Sequence, residues 1–314
     1  MSNRAQVTVS NYEEISLKPK ITDPDIVKLL PNTLEPKFVS FEISGVSNAV
    51  SNGIRRTLLD EMPFIAMKMG DLKTDDEFLI PEMIEKRIRM IPILQTTPLK
   101  TTFTLNARND TRVVRDVKSS EIKSNKQALP FDGTYTLFTL RPGKQAQISE
   151  ITIVSNYGHI DAAHCQVSSP ASVALDQEPI NSYTGTGISV SVSNPRKWRI
   201  SFITTGGEDP QKLLRDACDN LVERLRGVKQ ILPTITSRGD QHELRIVDSA
   251  TIGNLLMKTI IELYPQIPAC VYDEGHNERT VTLRIMSSDD VSLMISNAIA
   301  HVTAVYGEIR ATFA

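Results

Sequence analysis

The chain lacks most of what would mark a secreted protein, an enzyme or a nucleic-acid binder. Its three cysteines, Cys165, Cys218 and Cys270, stand far apart with no CxxC pair. Neither a disulfide framework nor a zinc ribbon is indicated, and the thiols read as buried or incidental ones in a reducing compartment. There is no excess of basic charge: 35 Lys and Arg against 37 Asp and Glu leave a net of −2, which argues against wrapping nucleic acid and leaves any DNA contact local or indirect. No apolar run approaches the ~18 residues of a membrane span. The opening MSNRAQVTVSNYEEISLK also lacks the apolar stretch of a secretion signal, so a soluble intracellular protein is expected. No P-loop, GxSxG, HExxH or clustered-aspartate motif marks a catalytic centre. His159 and His164 have only Cys165 beside them and no ligand set. Neither catalytic residues, cofactor nor metal is expected.

What the chain does have is an ordinary globular composition over 314 residues, room for two or three domains, and a repeat. Residues 47–67, SNAVSNGIRRTLLDEMPFIAM, lie in register on residues 249–269, SATIGNLLMKTIIELYPQIPA. Ser47 falls on Ser249, Asn52 on Asn254, Thr57 on Thr259, Pro63 on Pro265 and Ile65 on Ile267. Val50, Ile54, Leu58 and Leu59 meet Ile252, Leu256, Ile260 and Ile261, and an acid is kept at Asp60 and Glu262. Cap, apolar stripe and stop recur together, as expected of two copies of one supersecondary unit.

The surroundings of the two copies are alike. Residues 1–35 are polar, carry Pro19, Pro24, Pro31 and Pro36 with one apolar stretch at 26–30, and read as an N-terminal arm. KFVSFEIS alternates as a strand, and Ser47 is placed to cap a helix that Pro63 stops, with Val50, Ile54 and Leu58 on its packing face. Pro81 opens a second helix, PEMIEKRIRM, with Met83, Ile84 and Ile88 on its buried side. Over 96–195 the runs TTFTL, RVVRDV, TYTLFTL, QISEITIV and ISVSVS predict a β-rich insert domain. WRISFI predicts a strand, and Asp209 with Pro210 starts a helix whose stripe is Leu213, Ala217, Leu221 and Leu225 and whose natural end is Gly227. Residues 228–241, with Pro233 and Gly239, read as a linker.

The second half, 242–314, begins with a strand and a helix capped by Ser249, with Ile252, Leu255, Leu256, Ile260 and Leu263 inward. A hairpin follows at 269–272 and 280–286, with Val281, Leu283 and Ile285 inward. Ser288, Asp289 and Asp290 open a last helix with Val291, Ile295, Ala298, Ile299, Val302 and Ile309 as its stripe. The predicted fold class is α+β. Two units, residues 36–95 with 196–227 and residues 242–314, each an antiparallel sheet with helices on one side, pair as an intramolecular pseudo-dimer.

FEISGVSNAVSNGIRRTLLDEMPFIA followed by FLIPEMIEKRIRMIPI resembles the alpha-type assembly subunits of multisubunit RNA polymerases. That group includes bacterial alpha, archaeal D and the third subunit of RNA polymerase II. NGIRR at 52–56, Pro63 and RIRMIPI at 87–93 stand at the group's signature blocks, and LRPGKQAQISEITI and ISFITTGGEDPQKLLRDACDNLVERL resemble later ones. IVDSATIGNLLMKTIIELYPQIPACVYDEGH, above all Asp248, Thr251, Gly253, Asn254 and Leu255, is similar to archaeal L and the eleventh subunit of RNA polymerase II. There are departures. Arg89 replaces a glycine common in the group, no cysteine-rich loop is present, and a proline-histidine block survives only as Gly275 and His276.

The resemblance implies a non-catalytic scaffold for DNA-directed transcription, with two dimerisation partners on one chain. Such a fusion is expected of large cytoplasmic DNA viruses, which implies host cytoplasm and virion as locations. The implied partners are the two largest polymerase subunits and small subunits resembling archaeal N and P. DNA is reached only through the complex, and neither a membrane nor a homodimer is expected. Arg55, Arg56, Glu61, Arg87 and Arg89 are the implied contacts to the large subunits, since arginine forks suit carboxylates at interfaces. Val50, Ile54, Leu58, Leu221, Leu225, Ile252, Leu256, Ile260, Ile295, Ile299 and Val302 form the expected pseudo-dimer core. The alternatives are an interaction module outside transcription, or an enzyme built around the insert.

Overall fold

The computed structural model describes residues 6–17, 34–125, 129, 131, 135–176, 183–184, 187–188, 195–274 and 279–313. β1 (Thr8–Ser16) pairs antiparallel with β2 (Lys37–Ser44), whose alternation sends Val39, Phe41 and Ile43 into the core. Ser47 is the N-cap of α1 (Asn48–Arg56), which winds on into a π turn, Thr57–Glu61, before β3 (Pro63–Met69) and β4 (Leu72–Thr74). α2 (Pro81–Arg89) has its proline in the first turn, where the missing N–H costs nothing. β5 (Phe103–Arg108), β6 (Arg115–Lys118), β7 (Lys123–Ser124), β8 (Thr136–Leu140) and β9 (Gln145–Tyr157) follow. After β10 (Val167–Ala174), a short hairpin of β11 (Tyr183–Thr184) and β12 (Gly187–Ile188), and β13 (Lys197–Thr204), the chain enters α3 (Pro210–Ile231). The Asp209 carboxylate caps α3, accepting from the Lys212 N–H.

The second half consists of β14 (Thr236–Arg238), β15 (Gln241–Ile246), α4 (Ala250–Leu263), β16 (Ala269–Glu274), β17 (Val281–Met286) and α5 (Val291–Thr312). Ser249 and Asp290 cap α4 and α5, accepting from the N–H groups of Thr251 and Leu293.

One topology is used twice. The first sheet has the order β1-β2-β13-β10, with α1 after β2 and α3 after β13; the second has the order β14-β15-β17-β16, with α4 after β15 and α5 after β17. Every pairing in both is antiparallel. Only the first unit carries an interruption, between α1 and β10. There β3, β9, β5 and β7 form a sheet with β4 on β9, β6 pairs with β8, and α2 packs against β3 and β8. This body has its own core of Met67, Ile84, Ile88, Phe103, Leu105, Leu137, Ile148 and Ile151 among others. A single larger core runs from Val39 and Phe41 of the first sheet through the four long helices to Leu244 and Leu283 of the second.

Several boundaries differ from those the sequence predicts. The arm is not all outside the units: Thr8–Ser16 forms the edge strand β1, while the 26–30 stretch lies outside the described residues. The interruption begins with β3 rather than near residue 96, because Met67, Met69, Ile84 and Ile88 join its core. It ends before β10, which pairs with β13 instead of remaining in the insert expected to reach 195. Most of the ISVSVS run, like Gly275 and His276, lies outside the described residues.

The expected linker is largely structured. α3 runs through Gly227 to Ile231 because Val228 continues its buried stripe, and a helical glycine costs only about 1 kcal/mol. A 3-10 turn, Leu232–Thr234, then delivers the chain to β14. Two apolar positions also differ from expectation. Met83 is 52% exposed, and Leu263, in the last turn of α4, is 36% exposed.

Candidate assembly interface

The helices of the two units face one another. α1 packs on α4 and α3 on α5 across the interface, while α4 and α5 pack together within the second unit. All eleven residues expected at the pairing core, Val50, Ile54, Leu58, Leu221, Leu225, Ile252, Leu256, Ile260, Ile295, Ile299 and Val302, are buried in the one cluster that spans both units. Tyr306 of α5 is the largest fully buried side chain, and its hydroxyl donates to the Val50 carbonyl across the interface at 3.2 Å. That approach needs Gly53, where a Cβ would stand 2.5 Å from the tyrosine oxygen. Around the rim, Arg310 Nε meets the Asp219 carboxylate at 2.7 and 2.8 Å, and Arg196 lies 3.5 Å from Glu262. Phe313 stacks edge-on against Phe41, with ring centroids 5.3 Å apart, and lies beside Tyr12 of β1.

One polar cluster penetrates this apolar contact. Arg224 of α3, 14% exposed in its side chain, donates from Nη1 to Glu61 Oε2 at 2.6 Å and from Nε to Asp248 Oδ2 at 3.0 Å. Its Nη2 donates to Asp248 Oδ1 and, at 2.8 Å, to Ser249 Oγ. Glu61 Oε1 accepts from the hydroxyls of Ser249 at 2.6 Å and Thr251 at 2.8 Å. The first unit thus contributes Glu61 and Arg224, and the second contributes Asp248 with the first turn of α4. Burial alone would push the Glu61 carboxyl up; the Arg224 charge and the hydrogen bonds from Ser249, Arg224 and Thr251 outweigh it and hold Glu61 below the ordinary carboxylate value.

Glu61 is therefore not an outward contact, as the resemblance had implied. The π turn at Thr57–Glu61 winds wider than an α-helix and leaves Glu61 buried, whereas Leu263, its counterpart in α4, is partly exposed. The arginines lie elsewhere. Arg55 is half-buried and held by Asn52 Oδ1 at 2.9 Å; Arg56, 38% exposed in its side chain, lies 3.9 Å from Glu61. Arg87 is exposed, donating to the Leu137 carbonyl at 2.7 Å. Arg89 pairs with Asp161 at 2.6 Å and Glu85 at 3.1 Å, lining a groove of about 450 Å³ between α2 and residues 160–162. Sequence reasoning missed Arg224, although there was a signal for it. It sits three residues after Leu221 and one before Leu225, on a face otherwise given to the core, and arginine is rarely placed there unpaired.

The two histidines singled out in the sequence bond to backbone carbonyls. His159 Nδ1 lies 3.1 Å from the Asp60 carbonyl, and the buried His164 uses Nδ1 on the Phe64 carbonyl at 2.6 Å. Among the described residues no set of three His, Cys, Asp or Glu side chains is arranged to hold a metal, and no helix is long and apolar enough to cross a membrane. Burial pushes the Cys218 and Cys270 thiols up to about 12, which leaves them protonated.

Comparison with known proteins agrees with this arrangement. Residues 40–225 match the RNA polymerase Rpb3/Rpb11 dimerisation domain. The DNA-directed RNA polymerase RPB3-11 homolog of African swine fever virus (isolate Pig/Kenya) is 23% identical over 311 residues, covering 87% of this chain and 86% of that protein. Its counterpart in the Vero-adapted Badajoz strain is 24% identical over 307 residues, with 86% and 85% covered. The DNA-directed RNA polymerase subunit Rpo3 of Thermococcus kodakarensis is 38% identical over 63 residues, 20% of this chain and 24% of that protein. With more than half its length matched, and with one sheet-and-helix topology present twice and paired face to face, the chain belongs to the RNA polymerase Rpb3/Rpb11 dimerisation-domain family.

Proposed function

We propose that this chain is the non-catalytic assembly subunit of a multisubunit DNA-directed RNA polymerase, carrying both partners of the dimerisation scaffold in one polypeptide. The observation that carries this reading is the pair of topologically identical units sharing one core within a chain of this family. Fusion makes the pairing unimolecular, at an effective concentration on the order of millimolar or above for so short a connection. The isolated protein is accordingly a monomer. Its partners are other polymerase subunits, specifically the two largest ones, with small subunits resembling archaeal N and P. The viral relatives support a setting in a large DNA virus, with host cytoplasm and virion as the locations. No observation favours a role outside transcription.

Arg55 and Arg56 on α1 and Arg87 and Arg89 on α2 are the proposed contacts to the large subunits. Neither Arg55 nor Arg87 belongs to the pairing core, so charge reversal there tests docking separately from folding. In co-expression with the two largest subunits, Arg55→Glu and Arg87→Glu are each expected to reduce their capture by the full chain at least several-fold, with circular dichroism unchanged. Undiminished capture by both variants would remove these arginines from the docking surface. An obligate dimer in sedimentation would refute intramolecular pairing.

A further inference from the structure

The two units are related by more than topology. When Asp209 is laid on Asp290, every buried position of α3 falls on a buried position of α5: Leu213 on Met294, Leu214 on Ile295, Ala217 on Ala298, Leu221 on Val302, Leu225 on Tyr306 and Val228 on Ile309, with Pro210 on Val291 and Cys218 on Ile299. One buried position of α5 has no buried counterpart. It is Val305, and it corresponds to Arg224. The same correspondence, applied through the α1 and α4 repeat, sets Glu61 against Leu263, Asp248 against Val46 and Thr251 against Ala49. Only the serines match, and Ser249 uses its hydroxyl in the cluster while Ser47 makes no side-chain capping bond. A pseudo-twofold interface has two equivalent ends. Here one end is a charged, hydrogen-bonded cluster; at the corresponding positions of the other, Val46, Ala49 and Val305 are buried in the shared core and Leu263 lies partly exposed at its margin.

A purely stabilising role does not account for this asymmetry, because a buried ion pair often contributes no more than an apolar replacement of the same volume. Choice of partner does account for it. In a pair of two first units, the residues facing Glu61 and Arg224 would be Val46, Ser47 and Ala49, so Arg224 would lose the Asp248 carboxylate and Glu61 the Thr251 hydroxyl. In a pair of two second units, Asp248 would face Val305 and Thr251 would face Leu263. Each like pair leaves charge or polar groups buried without partners, and only the unlike pair satisfies them all. We infer that Glu61, Arg224, Asp248 and Thr251 are the specificity determinant of the pairing, making first-unit-to-second-unit association exclusive against association of like units. Such exclusion acts on neighbouring copies of the chain whose second units are not yet made, where the tether gives no protection.

This inference rests on the intramolecular pairing proposed above, and the test separates the two. A protease site is placed in the turn at 232–235, the full-length protein is folded and then nicked, and native mass spectrometry follows the redistribution of the halves. Nicked wild type is expected to remain at least tenfold enriched in unlike pairs. The quadruple variant Glu61→Leu, Arg224→Val, Asp248→Val, Thr251→Ala gives both ends the same apolar chemistry. It is expected to fold, and after nicking to drift toward about half like pairs, the statistical share for equal affinities. The reciprocal variant Val46→Asp, Ala49→Thr, Leu263→Glu, Val305→Arg places the cluster at both ends and is expected to scramble in the same way. Unlike pairs only, in whichever variant folds, would overturn the inference. So would failure of both to fold, since determinants of partner choice alone leave folding of the tethered chain intact. An un-nicked wild type that dimerises would instead overturn the intramolecular reading.

Discussion

Replacing Arg224 by alanine is expected to cost about 3–5 kcal/mol of unfolding free energy at neutral pH, the penalty of leaving buried charge uncompensated. Glu61 and Asp248 would then face each other's surroundings without the guanidinium that now bridges them at 2.6 and 3.0 Å. The pH dependence carries its own sign. In the wild type the Glu61 carboxyl titrates below its unfolded value of about 4.3, so its contribution is present above that pH and fades as pH falls through the depressed folded value. Without Arg224, burial becomes the dominant influence and raises the carboxyl instead. The variant's deficit should therefore be largest near neutrality and should narrow in acid. Urea titrations of both proteins between about pH 7 and pH 4 provide the check. A deficit within about 0.5 kcal/mol at neutral pH, the range of ordinary surface substitutions, would deny the cluster any energetic weight.

The second large effect lies in the apolar contact. Tyr306→Ala removes the largest fully buried side chain and its bond to the Val50 carbonyl, with an expected cost of about 3–5 kcal/mol. Tyr306→Phe, which loses only the hydroxyl, should cost about 0.5–1.5 kcal/mol. The informative readout is in the other unit. Trp198, the chain's single tryptophan, lies on β13 of the first sheet and donates to the Val46 carbonyl. If the core is one body, substituting residue 306 must shift the unfolding midpoint reported by Trp198 fluorescence. An unmoved midpoint would mean that the two units unfold independently.

Much of this architecture can be read from the chain, for reasons that are local. Asp209, Ser249 and Asp290 cap their helices through short-range hydrogen bonds, and β2, β13 and β17 alternate because one face of each is buried. Of the four edge strands in the two paired sheets, β16 is legible as half of a hairpin and the other three are hidden. β1 has no fully buried residue, β14 is exposed throughout, and β10 is interrupted by a register shift and by Ser169 at positive φ, so none has the period that marks a strand. The same three strands account for the differences at the arm, at the far boundary of the insert and at the linker. In the interface, the apolar stripes were legible because burial repeats along a helix. Glu61 was not, because its direction depends on a π turn, and Arg224 was not, because its partners come from distant parts of the chain.

The interruption between α1 and β10 also bears on the order in which the molecule forms. The central pair of the first sheet, β2 with β13, can close only when residues about 150 apart meet, as in the Trp198 bond to Val46 with its separation of 152. Its counterpart, β15 with β17, closes over a loop of fewer than 50 residues, as in the His242 to Ser287 contact with its separation of 45. Closure of distant contacts is slower, so the half made later on the ribosome should complete its sheet earlier during refolding. Pulsed hydrogen exchange would show β17 protected before β13, and simultaneous protection would contradict it. The younger half would then serve as the finished surface against which the older one closes, reversing in time the order in which the two are written.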